Sequence, residues 1–130
     1  KTGFTLAPEA GSQRLRDVIN KKIDEDEILS TIETIFKAGW HLVKLYFMIG
    51  LPTEQLEDVE GIVTLATKAW KTARGISRKN EVTVSVSTFI PKPHTPFQWC
   101  AMLPVEEILE RQEMLKRRLN RRGMRVKWHD

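Results

Sequence analysis

Strand-length segments that alternate apolar and polar residues recur along this chain, and helix-length segments separate them. In Glu81 to Phe89, three valines point to one side and the residues that point to the other side are Thr83, Ser85 and Ser87. Leu42 to Ile49 repeats the pattern, with a second side formed by Lys44, Tyr46 and Met48. Strands covered by helices on both faces are apolar throughout. The polar side therefore predicts a sheet with helices on its other face only.

Apolar residues at helical spacing predict helices between and after the strands. The expected helices are Gly11 to Asn20, Glu25 to Ala38, a segment from the Gly50-Leu51-Pro52 turn to about Ala73, and a last one from Val105 to Leu119. Further strands are expected at Phe4 to Ala7 and Met124 to Trp128, and alternation predicts that Phe4, Phe47 and Val86 lie beneath the helices. Strands that alternate with helices indicate an α/β fold of parallel βα units. With a polar inner face, we interpret the fold as part of a TIM-like barrel whose helices cover the outside.

Composition narrows the class of protein further. Cys100 is the single cysteine among 130 residues, so this chain alone builds neither a disulfide framework nor a cysteine-held metal cluster. Its apolar runs fall far short of the roughly 20 residues that a transmembrane helix needs. We therefore predict a cytoplasmic protein without membrane contact. The chain lacks an initiator methionine and its βα units are too few to close a barrel, so residues 1–130 are expected to be an excised fragment of a longer domain.

Segments rich in glycine, proline and polar residues follow three of the predicted strands. They are Pro8 to Ser12, Gly50 to Glu54 and Pro91 to Pro96. Each alone is typical of a turn, an N-cap or a helix start. Ligands of parallel α/β folds bind at the carboxyl ends of the strands, which is where all three segments lie. Their equivalent positions predict a ligand site.

The same segments carry a resemblance to a known family. "TLAPEAGSQRLRDVINK" resembles the fourth strand and following helix of radical S-adenosylmethionine (SAM) enzymes. "YFMIGLPTE" resembles their fifth strand, and "VSVSTFIPKPHTPFQW" their sixth strand and the loop beyond it. These segments are most similar to those of radical SAM proteins with a B12-binding N-terminal domain. The family's C-x-x-x-C-x-x-C loop is absent from this chain.

The resemblance implies roles for individual residues. Glu9 corresponds to the residue that contacts the SAM ribose, and Tyr46 lies on the matching face of the next strand as a ribose or methionine contact. Backbone groups and an apolar edge for the adenine are implied at Met48, Ile49 and Gly50. The remaining cofactor contacts are implied at Gly11, Ser12, Arg14 and Ser87, with Ser12 and Arg14 on the methionine carboxylate. The substrate side is assigned to Thr83, Ser85, Lys92 and His94.

The cofactors implied for the whole protein are SAM and a [4Fe-4S] cluster, with cobalamin left open as a third. The cluster ligands would come from the N-terminal part of the same barrel, which is the partner that the resemblance implies. We expect residues 1–130 to supply part of the SAM and substrate pocket and to be inactive alone. The resemblance identifies neither the substrate nor the reaction.

Two other functions are alternatives to this one. A nucleic-acid-binding module would use the basic residues Lys116, Arg117, Arg118, Arg121, Arg122, Arg125 and Lys127. Acids on the same helix at Glu106, Glu107, Glu110 and Glu113 indicate a solvated face with Glu-to-Lys or Glu-to-Arg pairs instead. An unrelated TIM-barrel enzyme would bind phosphate at the turns of Gly11 and Gly50.

Overall fold

The computed structural model describes residues 3–90 and 103–129. The predictions for Lys92, His94 and Cys100 lie outside these residues. The elements in chain order are β1 (Phe4–Glu9), α1 (Gln13–Val18), α2 (Glu25–Lys37), β2 (Leu42–Ile49), α3 (Leu56–Ile76), β3 (Glu81–Thr88), α4 (Val105–Arg118) and β4 (Met124–His129).

The four strands form one parallel sheet in the order β1-β2-β3-β4. The register between β2 and β3 is unbroken from Leu42 opposite Glu81 to Ile49 opposite Thr88. Each strand pairs with the next one along the chain, and helical segments lie between them. The predicted α/β fold of parallel βα units with flanking helices is therefore confirmed.

The hydrophobic core lies between one face of the sheet and the three longer helices. Its strand residues are Val43, Leu45, Phe47, Ile49, Val82, Val84, Val86 and Met124. Its helix residues include Ile28, Ile32, Phe36, Val59, Ile62, Ala66, Leu115 and Leu119. These are the positions that the two periods place on the inner side of each element. The valine side of the predicted strands is thus the side that the helices cover.

Strand β1 departs from regular pairing near its carboxyl end. Leu6 pairs with Leu45, but the next matched pair is Glu9 with Phe47, so β1 has one residue more than β2 in this stretch. The strand bulges there, and Glu9 has a positive φ of 65°. The direction of the Glu9 side chain therefore depends on this bulge and cannot be obtained from simple alternation along β1.

Burial departs from expectation at two residues. Phe4 was expected beneath the helices, yet it is 41% exposed and packs edge-on against Trp40, because β1 is an edge strand of the sheet described here. Arginine is usually a surface residue, yet Arg16 is only 2% exposed. Its guanidinium donates to the carbonyl oxygens of Ala10 and Ile23, which lie before and after α1. Arg16 therefore ties the short helix α1 to the chain on both sides.

Candidate functional site

The sheet face opposite the core carries the polar residues of three strands in cross-strand rows. One row contains Lys44, Thr83 and Arg125, the next Tyr46, Ser85 and Lys127, and the last Met48, Ser87 and His129. The last row lies at the carboxyl ends of the strands. In each row the β3 residue is the shortest, so the longer side chains of β2 and β4 stand on either side of a groove above β3.

A cavity of about 260 Å³ lies at the carboxyl-terminal end of this face. Its lining residues are Glu9, Tyr46, Phe47, Met48, Ser85, Ser87 and His129. Five of these, all except Phe47 and His129, were predicted as site residues from the sequence. The fold therefore brings together, around one cavity, residues from all four described strands.

Glu9 reaches this cavity from the bulge at the end of β1. Its carboxylate lies 3.5 Å from the ammonium of Lys21, and about a third of the side chain is exposed. Glu9 does not cap the following helix. Ser12 does so, because its Oγ accepts a hydrogen bond from the Leu15 N–H at 3.1 Å. The carboxylate of Glu9 is thus held by one exposed lysine and retains oxygens that can accept further hydrogen bonds.

The aromatic ring of Tyr46 stacks on the imidazole of His129 across the groove. The ring centroids are 6.0 Å apart and the planes differ by 15°. Sequence reasoning missed His129, although a signal existed. Arg125, Lys127 and His129 occupy alternate positions of β4, so period-two reasoning would have put all three on the polar face.

Ser12 and Arg14, predicted to contact the methionine carboxylate, both bind the carboxylate of Asp58. Ser12 Oγ donates to Asp58 at 2.5 Å, and the Arg14 guanidinium forms an ion pair with the same side chain. Arg14 also donates to the carbonyl oxygen of Thr53 at 2.8 Å. Burial by itself would raise the pKa of Asp58, but hydrogen bonds from Arg14, Ser12 and the Gln55 N–H outweigh it, so the pKa lies below its ordinary value. Asp58 was not foreseen from the sequence.

Gly11 meets the backbone of α3 rather than the cavity. A Cβ at Gly11 would lie 2.2 Å from the Ile62 nitrogen and 2.6 Å from the Gly61 carbonyl carbon. Only glycine allows the turn after β1 to approach α3 this closely. The close packing of Gly11 and Gly61 sets the position of Ser12 above Asp58.

The turn after β2 is held by a buried ion pair. Gly50 has a φ of 80°, and its N–H donates to the Glu54 carboxylate at 2.8 Å. The same carboxylate accepts a hydrogen bond from Arg111 of α4 at 2.8 Å, and the side chains of Glu54 and Arg111 are 1% and 5% exposed. Burial raises the pKa of Glu54, and the hydrogen bonds from Gly50 and Arg111 offset only part of that effect.

The predicted adenine contacts divide between the two faces of the sheet. Met48 is half-buried and lines the cavity, whereas the side chain of Ile49 is fully buried on the helix side. Ile49 can therefore offer only backbone groups to a ligand on the polar face. Its carbonyl oxygen already accepts the Phe89 N–H at 2.8 Å.

Within 3–90 and 103–129, no three His, Cys, Asp or Glu side chains are grouped so that they could hold a metal ion. No helix in these two ranges is both long and apolar enough to cross a membrane.

Comparison with known proteins gave one informative relative. The chain is 40% identical over 131 aligned residues to an uncharacterised protein of Methanocaldococcus jannaschii. The match covers 98% of this chain but 27% of that protein, so the chain spans about a quarter of its length. No known protein family matches the chain. No solved structure matches it either.

Proposed function

We propose that this chain is part of the barrel domain of a radical SAM enzyme and forms one side of its SAM pocket. The observation that carries the proposal is the cavity at the carboxyl ends of the parallel strands. Glu9, Tyr46, Met48 and Ser87, assigned to SAM by resemblance, line it together with Ser85 from the substrate side. Parallel α/β folds bind ligands at this end of the sheet.

The one-sided packing of the sheet supports the barrel. The described helices α2, α3 and α4 contribute to the core on one face, and the opposite face is polar. Barrel strands have helices outside and a lumen inside, and a lumen that holds a ligand carries polar groups. We propose that further strands, supplied by a longer protein, extend the sheet beyond β1. A relative about four times as long as the chain is consistent with this.

The residues around the cavity fit part of a SAM molecule. The volume of 260 Å³ lies just below the roughly 300 to 1,000 Å³ that ligand pockets usually enclose, so other strands would have to complete the pocket. The Glu9 carboxylate accepts hydrogen bonds from a ribose diol. Tyr46 offers a ring face and a hydroxyl, while Met48 provides an apolar edge. The positive φ of Gly50 turns the chain directly after the end of β2, two residues beyond Met48.

Glu9, Tyr46, Met48 and Ser87 would hold SAM, which together with a [4Fe-4S] cluster would supply radical chemistry for hydrogen abstraction from a substrate. The part of this chemistry that belongs to the present residues is binding and orientation. Glu9 fixes the ribose, and the Tyr46 and His129 rings form the wall towards β4. Cluster ligands would come from elsewhere in the longer protein, since the chain has one cysteine.

Ser12 and Arg14 take a different role in this proposal. Both side chains bind Asp58, so we assign them to holding the turn after β1 in place rather than to direct contact with the methionine carboxylate.

The alternative function, an unrelated enzyme that binds phosphate at the glycine turns, receives less support from the structure. Gly11 packs on α3 and the Gly50 N–H already donates to Glu54, so neither turn offers a free phosphate cradle.

The test is titration of SAM into the reconstituted full-length protein and its Glu9→Ala variant. Loss of the charge-assisted hydrogen bonds should weaken SAM binding by about tenfold to a hundredfold. Glu33→Ala is the matched control, because Glu33 is also a carboxylate paired with one lysine, Lys37, but lies on α2 away from the cavity. Equal SAM affinity in Glu9→Ala and the wild type, with a lowered melting temperature, would contradict the assignment.

A further inference from the structure

The row below the cavity and the row of Tyr46 and Ser85, which line the cavity, carry an excess of positive charge. Lys44 lies in one row with Arg125, and Lys127 lies in the next row with Tyr46. Between Glu9 at the carboxyl edge and Glu81 at the amino edge, the described positions of these rows on β2, β3 and β4 contain three cations and no acid.

None of these three cations has a protein partner among residues 3–90 and 103–129. Other basic residues do: Lys21 pairs with Glu9, Lys68 with Glu25 and Arg118 with Glu60. Lys44, Arg125 and Lys127 form no such pair. Lys44 is also partly buried, in the second strand of the sheet. A cation that loses hydration without gaining a carboxylate is costly, and such groups usually have a charged partner.

The register places the three cations around the floor of the groove. Lys44 and Arg125 flank Thr83, and Lys127 lies beside Ser85, which lines the cavity. Thr83 and Ser85 are short and almost fully buried, so an anion between β2 and β4 would have hydroxyl-bearing residues beneath it. Adjacent strands are about 4.8 Å apart, so the Cα atoms of β2 and β4 are roughly 10 Å apart in a row. Lysine and arginine side chains can span that gap to a single tetrahedral anion.

We propose that this groove binds a phosphate group of the substrate, with Lys44 on one side and Arg125 and Lys127 on the other. A phosphate dianion balances more of the charge of three cations than a carboxylate does, and its oxygens accept several charge-assisted hydrogen bonds. The proposal rests on the proposed function in one respect, that the open face lines the reaction pocket, and adds that the substrate is phosphorylated. The phosphate group would lie below the cavity, and the reacting part of the substrate would then lie beside Glu9 and Tyr46.

The test is titration of inorganic phosphate into the full-length protein, followed by phosphorus NMR. Lys44→Gln and Lys127→Gln should each weaken phosphate binding by about tenfold, the loss expected for one charge-assisted hydrogen bond. Lys71→Gln removes the same charge from the exposed surface of α3 and should leave phosphate binding unchanged. Lys44→Arg should retain most of the binding, which separates a lost charge from a misfolded protein.

Phosphate binding that is absent at millimolar concentration, or that falls equally in Lys71→Gln, would overturn the proposal. A short single-stranded RNA is titrated in parallel. RNA binding that persists in Lys44→Gln and is not displaced by phosphate would assign the basic surface to nucleic acid instead. SAM titration of the wild-type protein distinguishes the two proposals: SAM binding without phosphate binding overturns only this one, and phosphate binding without SAM binding overturns only the cofactor assignment.

Discussion

The same strands form both faces of the sheet, but the side chains on the two faces differ in burial and polarity. On β2, Val43, Leu45 and Phe47 face the helices and are at most 2% exposed. Tyr46 lies between two of them in the sequence, but it points to the other face and is 40% exposed. One face contributes burial of apolar surface and therefore stability. The other leaves polar and charged groups available to a ligand. The contrast predicts that stability and binding can be changed separately by substitutions at neighbouring residues.

The largest effect is expected from Phe47→Ala. Removing a buried aromatic ring leaves a cavity in the core and should lower the free energy of unfolding by about 3 to 5 kcal/mol. Tyr46→Ala is the matched control on the same strand, and it should cost about 1 kcal/mol, chiefly the stacking on His129. Urea denaturation of both variants measures the difference. Similar losses for the two would refute the division between the faces.

A smaller effect is expected at the turn after β2, in the buried pair of Glu54 and Arg111. Glu54→Ala removes the acceptor of both Arg111 and the Gly50 N–H and leaves these two buried donors unpaired, so the free energy of unfolding should fall by about 2 to 3 kcal/mol. Glu60→Ala, which breaks the exposed pair with Arg118, should cost below about 1 kcal/mol. Equal costs would mean that burial adds nothing to the Glu54 pair.

Asp58→Asn should cost about 1 to 2 kcal/mol at neutral pH, because Ser12 and Arg14 lose a charged acceptor. The pKa of Asp58 lies below its ordinary 3.8 in the folded protein. Its contribution is therefore complete above that value and is lost as the pH falls through the folded pKa. Denaturation curves across the acid range should show a smaller loss of stability in Asp58→Asn than in the wild type. An identical pH dependence in both would contradict this.

The ionisation of Glu54 should change the free energy of unfolding with pH in the opposite direction to that of Asp58. Its folded pKa is raised above the ordinary 4.5, so its protonated form is favoured by folding, and its contribution falls as the pH rises from 4.5 through the folded pKa. Subtracting the curve of Glu54→Gln from that of the wild type isolates this slope. A difference that grows with pH across the same window would show that the ion pair, rather than desolvation, dominates.

The smallest effect on stability is expected on the open face. Lys44 has no ion-pair partner within the described part of the chain, so Lys44→Gln should change the free energy of unfolding by less than about 0.5 kcal/mol. A clear stabilisation would sharpen the comparison, because it would show that the unpaired charge is kept at a cost for binding. A loss above 1 kcal/mol, on the scale of about 1 kcal/mol for a typical hydrogen bond, would show that Lys44 has a structural role instead.

The periodicity of the sequence determined most of the secondary structure and the face of each strand. The β2 strand has the predicted bounds, and the alternation in β3 correctly places Ser85 and Ser87 on the polar side that forms the cavity. The reason is local: side-chain direction repeats every two residues in a strand and every 3.6 in a helix, so the order of residue types is enough. The segments Pro8 to Ser12 and Gly50 to Glu54 lie at the carboxyl ends of β1 and β2, which is the end of the sheet where the cavity lies.

Only the tertiary structure decided which charged groups meet. Arg14 binds Asp58, 44 residues away, and Arg111 binds Glu54, 57 residues away, and no local pattern encodes either pairing. The bulge that directs Glu9 depends on the register of β1 against β2, and the close approach of Gly11 to Gly61 depends on where α3 lies. The distances between helices and strands follow from the packing of the whole core. Periodicity shows only which side chains lie on each face of one helix or strand. The sequence therefore determined which residues face the groove, and packing determined which of them keep free charge there.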